Sequence, residues 1–149
     1  MPHFGLMDEN SLGPIEGPLM RARLHIRGAR RRLRQGKVCA GIVTLYDALL
    51  KAMEWFVADP ARVRRLDLRP DEDLRNDKTL FRVLRRSRIL DASLDYEAFD
   101  SLVEMAAHEN LPPGYDWTSL LRDIESIMTQ LGVMPFDENG LPPEDPATF

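Results

Sequence analysis

The sequence has few of the residues that usually build catalytic or metal sites. It contains one cysteine, Cys39, and three widely separated histidines, which are His3, His25 and His108. A single cysteine excludes a disulfide within the chain, and its apolar neighbours predict a buried thiol in a reducing compartment. Because no histidine begins a metal-ligand spacing, we predict that the protein has no metal site and needs no cofactor.

The sequence also lacks the motifs of common enzymes and of secreted or membrane proteins. There is no G-x-S-x-G motif, no P-loop and no dinucleotide-binding glycine pattern, so we predict a protein that is not an enzyme. The N-terminus has no basic region followed by an apolar run, unlike a secretory signal. The longest apolar stretch, residues 38–57, contains Asp47, Lys51 and Glu54, whose charges would be costly in lipid. These features predict a cytoplasmic protein that does not interact with a membrane.

Apolar residues at intervals of three and four dominate the rest of the chain, and no stretch alternates convincingly at intervals of two. This spacing predicts helices and no strands. We therefore predict an all-α fold, an antiparallel up-and-down bundle of about four main helices joined by mostly short connections. The predicted helices cover residues 18–35, 37–58, a segment from 71 or 77 to 88, a segment from 93 or 95 to 111, and 116–132.

Glycine, proline and capping acids predict where these helices end. Gly36 offers a stop for the first helix, and Gly132 favours the left-handed backbone that closes the last one. The Asp59-Pro60 pair ends the central helix and suits the start of a short helical turn over residues 61–66. Asp116 is well placed to cap the last helix.

Helix breakers divide the chain into three parts. Residues 1–17 contain several glycines and prolines and no periodicity, which predicts an extended arm. Residues 18–132 form the predicted bundle domain, which is large enough to bury a core. Residues 133–149 contain four prolines and four acidic residues, which predicts an extended, Pro-rich acidic tail.

Charge is divided unevenly along the chain, although the net charge is only −4. Residues 1–90 carry 19 Lys or Arg and 11 Asp or Glu, whereas residues 91–149 carry one and 13. The first predicted helix is the extreme case, because it contains seven arginines and no acid. Four of these arginines lie on one stripe of the helix: Arg23, Arg27, Arg30 and Arg34.

Two interpretations of this arginine stripe stay open. Clustered arginines bind phosphate oxygens, so the stripe could contact a nucleic acid or a nucleotide. Alternatively, the arginines pair with the acidic later part of the chain, in the same subunit or in a neighbouring one. We favour pairing, because the acidic part carries a comparable charge and the helix lacks the interleaved aromatic residues of a nucleic-acid platform.

A second polar stripe runs along the predicted central helix. Thr44, Asp47, Lys51 and Glu54 recur at helical spacing within an otherwise apolar segment. Asp47 and Lys51 stand at positions i and i+4, in the order that favours an ion pair on a helix. Such a stripe is more often a solvated seam than an active site, so we predict no catalytic residue there.

The segment RLHIRGARRRLRQGKVCAGIVTLYDALLKAMEWF, with Leu45-Tyr46-Asp47-Ala48-Leu49 at its centre, resembles the first two helices of HEPN-type bundles. These helical domains often accompany minimal nucleotidyltransferases, and the resemblance covers residues 20–56. It implies an antiparallel bundle that commonly dimerises and has a nucleotide- or RNA-linked role. Active members carry an arginine followed by a histidine near the start of a late helix. This sequence lacks that motif, since Arg21 and His25 lie on the first helix, and a binding role is what the resemblance then implies.

The first hypothesis from the sequence is therefore a non-enzymatic helical adaptor that forms a homodimer and docks a protein partner. The second hypothesis is a nucleic-acid- or nucleotide-binding module that uses the arginine stripe of the first helix. An enzyme that uses the charged residues of the central polar stripe ranks last.

Overall fold

The computed structural model describes residues 12–149, so residues 1–11 of the predicted N-terminal arm lie outside the described part. The described residues form six α-helices and no strand, which confirms the all-α prediction. Within the same residues, no helix is long and apolar enough to cross a membrane. The helices are α1 (Glu16–Arg34), α2 (Val38–Ala58), α3 (Pro60–Val63), α4 (Asp77–Arg86), α5 (Tyr96–Ala107) and α6 (Trp117–Leu131).

The central helix of the fold is α2. It contains 21 residues, which corresponds to a length of about 31 Å. Each of the other five helices packs against it, because apolar side chains cover most of its circumference. Its most extensive neighbour is α1, and the two helices approach so closely at Gly41 that a Cβ atom there would lie 2.6 Å from Cδ2 of Leu33.

Several helix ends follow the local chemistry that the sequence indicates. Asp59 caps α3 by accepting a hydrogen bond from the backbone N–H of Ala61 at 2.9 Å. Asp116 caps α6 in the same way. Gly36 and Gly132 have φ angles of 79° and 93°, in the left-handed region that favours glycine at the end of a helix. The predicted roles of these residues are confirmed.

Other boundaries differ from the predictions or decide between alternatives. α1 begins at Glu16, so residues 16 and 17 belong to the helix and not to the predicted arm. α3 ends at Val63 and not at residue 66, because the residues after it form hydrogen bonds of the 3-10 type. α4 begins after Asn76, whose side chain caps it, and α5 begins after Asp95 for the same reason.

The C-terminal segment, residues 133–149, packs against the helices. It contains two 3-10 turns, Glu138–Gly140 and Pro146–Thr148. Val133 is fully buried, and Phe136 is partly buried against the core. The segment reaches α1, so its acidic side chains come next to arginines that lie more than a hundred residues earlier.

Candidate functional site

The face of α1 that carries the arginines is partly covered by acidic residues from the end of the chain. Arg30 forms ion pairs with Glu125 of α6 and, at 3.2 Å, with Glu138 of the C-terminal segment. Nε of Arg31 donates to Glu144 of the same segment at 3.1 Å. Side-chain exposures of 17% for Arg30 and 15% for Arg31 show that both guanidinium groups are largely enclosed.

Aromatic rings of the C-terminal segment lie against the same face of α1. The guanidinium carbon of Arg23 is 5.3 Å from the centre of the Phe136 ring, and that of Arg31 is 4.6 Å from the centre of the Phe149 ring. Nε of Arg23 also donates to the backbone carbonyl of Val133 at 3.1 Å. Burial lowers the pKa of Arg23. Each arginine therefore meets a ring as well as an oxygen acceptor, the combination that guanidinium groups bind well.

The arginine stripe predicted from the sequence is divided by the structure. Arg23 and Arg30 contact the C-terminal segment, as described above. Arg27 lies between them, and its buried Nε atom has no hydrogen-bond partner among the described residues. Arg34 is exposed at the end of α1. The four arginines do not form one continuous free surface.

Sequence reasoning missed two arginines of α1 because they lie off the predicted stripe. Arg31 binds the C-terminal segment, and Arg32 points to α2, where it donates to Oγ1 of Thr44 at 2.8 Å. Burial is the main cause that lowers the pKa of Arg32, and the charge of Arg31 adds to it. The presence of arginines on several sides of α1 was the only sequence signal for these contacts.

The polar stripe of α2 does not form a single site. Asp47 lies beside Arg32 and Thr44 in one depression, whereas Glu54 lines another depression near the start of α4. Lys51 binds Glu54 at 2.9 Å and not Asp47, so the predicted ion pair at positions i and i+4 is replaced by a pair at i and i+3. Burial raises the pKa of Asp47.

A second basic surface lies on α4. Lys78, Arg82 and Arg85 follow one another at helical spacing, and the side chains of Lys78 and Arg82 are 57% and 61% exposed. Lys78 forms an ion pair with Asp100 at 3.3 Å, and Arg82 has a longer contact with Glu72 at 3.8 Å. These cations line a cleft of about 520 Å³ between α4 and the start of α5. Its other lining residues are Phe81, Arg86, Asp95, Tyr96 and Glu97.

A partly buried polar cluster fixes α4 in position. The hydroxyl groups of Tyr46 on α2 and Tyr96 on α5 both donate to Oδ2 of Asp77, at 2.9 and 2.7 Å. Partial burial would raise the pKa of Asp77, but the hydrogen bonds from the two tyrosines and from the backbone N–H groups of Asp77 and Lys78 together outweigh it and lower the pKa. Burial and the bond to Asp77 raise the pKa of Tyr46 to about 12, and the same causes raise the pKa of Tyr96. The cluster therefore holds the tyrosines neutral and the carboxylate charged.

Arg86 is the one arginine of the cleft that has strong partners. It binds the carboxylate of Glu72 and the backbone carbonyl of Asp67, both in the segment that precedes α4. The hydrogen bonds from Arg86 and from the backbone N–H of Arg69 lower the pKa of Glu72 to about 2. Arg86 thus joins α4 to the preceding segment.

The described residues, 12–149, contain no group of His, Cys, Asp and Glu side chains that could hold a metal ion. Comparisons with protein-family models, with curated proteins and with solved structures found no match.

Proposed function

We propose that the protein is a non-enzymatic cytoplasmic adaptor that self-associates and is built on an antiparallel up-and-down helical bundle. In this proposal α1 is the docking surface, and it binds acidic segments that contain aromatic residues. The observation that carries the proposal is the way α1 holds the C-terminal segment. Arg30 and Arg31 bind the carboxylates of Glu138 and Glu144, and Arg31 also covers the ring of Phe149. Acidic and aromatic side chains are therefore the features that α1 recognises.

The outer contacts of the C-terminal segment suit exchange between two copies. The side chain of Glu138 is 45% exposed, and Phe149 is 55% exposed. Surface ion pairs contribute about 0.2 to 1 kcal/mol each, so this part of the segment can leave α1 without opening the core. The same contacts form again when the segment binds α1 of a second copy. A partner protein with a similar acidic and aromatic segment would use the same surface.

Two further features support a binding role. The HEPN-like pattern of residues 20–56 implies a bundle that commonly dimerises. The charged residues of α2 are divided between separate depressions, with Asp47 in one and Glu54 in the other, which favours binding over catalysis.

A charge exchange between Arg31 and Glu144 tests the proposal, because the pair is 3.1 Å apart. Arg31→Glu and Glu144→Lys each place like charges at this contact, and in either single variant the contact is lost in the monomer and in the exchanged dimer alike. Each variant alone should therefore self-associate within about twofold of the wild type. Mixing the two variants should give a mixed dimer at least about tenfold tighter than either variant alone, because opposite charges then meet only between copies. Sedimentation velocity over a concentration series measures both effects.

The controls separate exchange from other routes to a dimer. A chain that carries both substitutions should associate like the wild type, since opposite charges again meet. A mixture that forms no dimer tighter than those of the single variants would contradict exchange through this segment, and a wild-type chain that stays monomeric throughout would contradict self-association itself.

Nucleic-acid binding through the same arginines makes a different prediction. Glu138→Gln and Glu144→Gln weaken the hold of the C-terminal segment, so a phosphate-binding α1 would then bind polyuridylate more tightly at low salt. We expect no such gain, because the aromatic contacts to Arg23 and Arg31 stay in place. A clear gain that disappears with Arg31→Ala would favour the nucleic-acid alternative.

A further inference from the structure

The structure assigns a second docking site, separate from α1, and we propose that the cleft between α4 and α5 binds a segment of a protein partner. The segment that fits this cleft carries an apolar side chain flanked by acidic residues on one side and basic residues on the other. Three observations support this assignment: the shape of the cleft, the signs of charge on its walls and the exposure of its cations.

The cleft has the size and rigidity of a binding site. Its volume of about 520 Å³ is within the range of about 300 to 1,000 Å³ that is typical of ligand sites. Phe81 and Tyr96 both line it, and their rings stack with centres 4.5 Å apart. Tyr96 is further held by its hydrogen bond to Asp77. An apolar side chain of a partner would thus meet a preformed aromatic surface.

The two walls of the cleft have opposite charge. Lys78, Arg82 and Arg85 come from α4, whereas Asp95 and Glu97 come from the start of α5. The backbone of a nucleic acid carries only negative charge, so the acidic wall would repel it. A protein segment can carry both signs and complement both walls.

The aromatic residues also favour a protein segment over a nucleic acid. Phe81 is 4% exposed and Tyr96 is 6% exposed. Bases bind single-strand platforms by stacking on open ring faces, and these rings offer little open face. An aliphatic side chain needs no stacking geometry, so the small exposed part of these residues is enough to contact it.

Lys78 and Arg82 of the cleft are open to solvent, unlike Arg30 of α1. The side chains of Lys78 and Arg82 are 57% and 61% exposed, compared with 17% for Arg30. Each has an acidic contact, with Asp100 for Lys78 and Glu72 for Arg82, and their exposure leaves further hydrogen-bond donors open to a partner. Because a partner would desolvate these groups, its carboxylates would gain charge-assisted hydrogen bonds at this wall.

Selection from a random peptide library displayed on phage tests the assignment with the full chain as the target. The library is first depleted on the bare support, so that peptides that bind the support are removed while peptides for every surface of the protein stay in the selection. Enriched peptides are then synthesised, and their affinity is measured by fluorescence anisotropy. We expect enriched peptides to share an apolar residue flanked by acids and bases.

Matched variants locate the binding. Affinity should fall at least about tenfold in the variant with Arg82→Glu and Arg85→Glu, because like charges would face the peptide. A second variant, Arg82→Gln with Arg85→Gln, should also weaken binding without new repulsion from Glu72. The control is Arg64→Glu with Arg69→Glu, which makes the same charge change at exposed positions outside the cleft and should alter affinity by less than about twofold.

Three results would overturn the assignment. One is a library that yields no enriched peptide. Another is a set of peptides that bind the Arg82→Glu, Arg85→Glu variant as tightly as the wild type. The third is polyuridylate that binds more tightly than any peptide and loses affinity in that variant, since this would make the cleft a nucleic-acid site. The charge exchange on α1 leaves the cleft residues unchanged, so each proposal can fail without the other.

Discussion

α1 and α4 are both rich in arginine, but the basic face of α1 is partly covered whereas that of α4 is exposed to solvent. On α1, the side chains of Arg30 and Arg31 are 17% and 15% exposed, because acids from the end of the chain cover them. On α4, the side chains of Lys78 and Arg82 are 57% and 61% exposed. The number of arginines on a helix therefore does not reveal a free basic surface. What matters is where the acidic residues of the rest of the chain are placed.

Two acids near α4 have their main contacts on its inner side, and the outer cations Lys78 and Arg82 have only peripheral contacts with acids. Asp77 turns inward to Tyr46 and Tyr96. Glu72 binds Arg86, the arginine that joins α4 to the preceding segment. α1, in contrast, has no acid in its arginine-rich part and receives its partners from residues 125–144.

The largest effect on the free energy of unfolding should come from a substitution on the inner side of α4, compared with one on its outer side. Asp77→Ala removes a carboxylate that accepts two tyrosine hydrogen bonds, so the free energy of unfolding should fall by about 2 to 4 kcal/mol. Lys78→Ala, at the next position, should change it by less than about 0.5 kcal/mol. Urea unfolding of both variants measures the difference, and equal losses would contradict the distinction between the two sides.

A smaller effect should distinguish the covered arginines of α1 from the exposed ones. Arg30→Ala leaves Glu125 and Glu138 without their partner, so we expect a loss of about 1 to 2 kcal/mol in the free energy of unfolding. Arg34→Ala, on the exposed end of the same helix, serves as the control and should cost less than about 0.5 kcal/mol. Chemical denaturation of the two variants checks this, and an Arg30→Ala chain as stable as the control would refute it.

The pH dependence of stability should show the contribution of the cluster of Tyr46, Asp77 and Tyr96 that holds α4. The pKa of Tyr46 is raised to about 12 from its usual 10.0, so the neutral form is favoured by folding. Its contribution is complete below pH 10.0 and is lost as the pH rises towards about 12. The stability difference between wild type and Tyr46→Phe should therefore shrink over this range. A difference that stays constant would show that Tyr46 ionises in the folded protein as it does in the unfolded chain.

The smallest effect should be confined to the C-terminal segment. Glu144→Gln weakens a single ion pair with Arg31, worth about 0.2 to 1 kcal/mol. Amide hydrogen exchange should become faster in residues 141–149 and stay unchanged in α4. Faster exchange throughout the protein would mean that the segment supports the whole fold and is not a separate, exchangeable part.

Local chemistry made much of the fold predictable from the sequence. Gly36, Gly132 and the Asp59-Pro60 pair act within a few residues, so their effects on helix ends could be inferred without knowing the fold. The sequence indicated that acidic residues pair with the arginines of α1, but it could not indicate which acidic residues do so. The prolines between residues 133 and 149 leave no periodic pattern from which positions could be inferred. Charge counting indicated that acids and arginines should meet, but it could not choose Glu138 or Glu144.

The basic surface of α4 could not be recognised from the sequence. Acids and arginines alternate closely around residues 67–88, so their charges largely offset one another in any count along the chain. Only the fold shows that Asp77 turns inward to Tyr46 and Tyr96 and that Lys78 and Arg82 line the cleft. Asp95 and Glu97 join the same cleft from another helix, which is a contact that spacing within one helix cannot indicate.

The end of the chain covers the basic face of α1. Nuclear Overhauser effects between the Phe149 ring and the Arg31 side chain test this contact most directly. The guanidinium carbon lies 4.6 Å from the ring centre, so clear cross-peaks are expected in a dilute sample of the full chain. These cross-peaks should weaken in Glu144→Lys, which places a second cation beside Arg31. Their absence from the wild type, with sharp and freely mobile Phe149 signals, would contradict the claim.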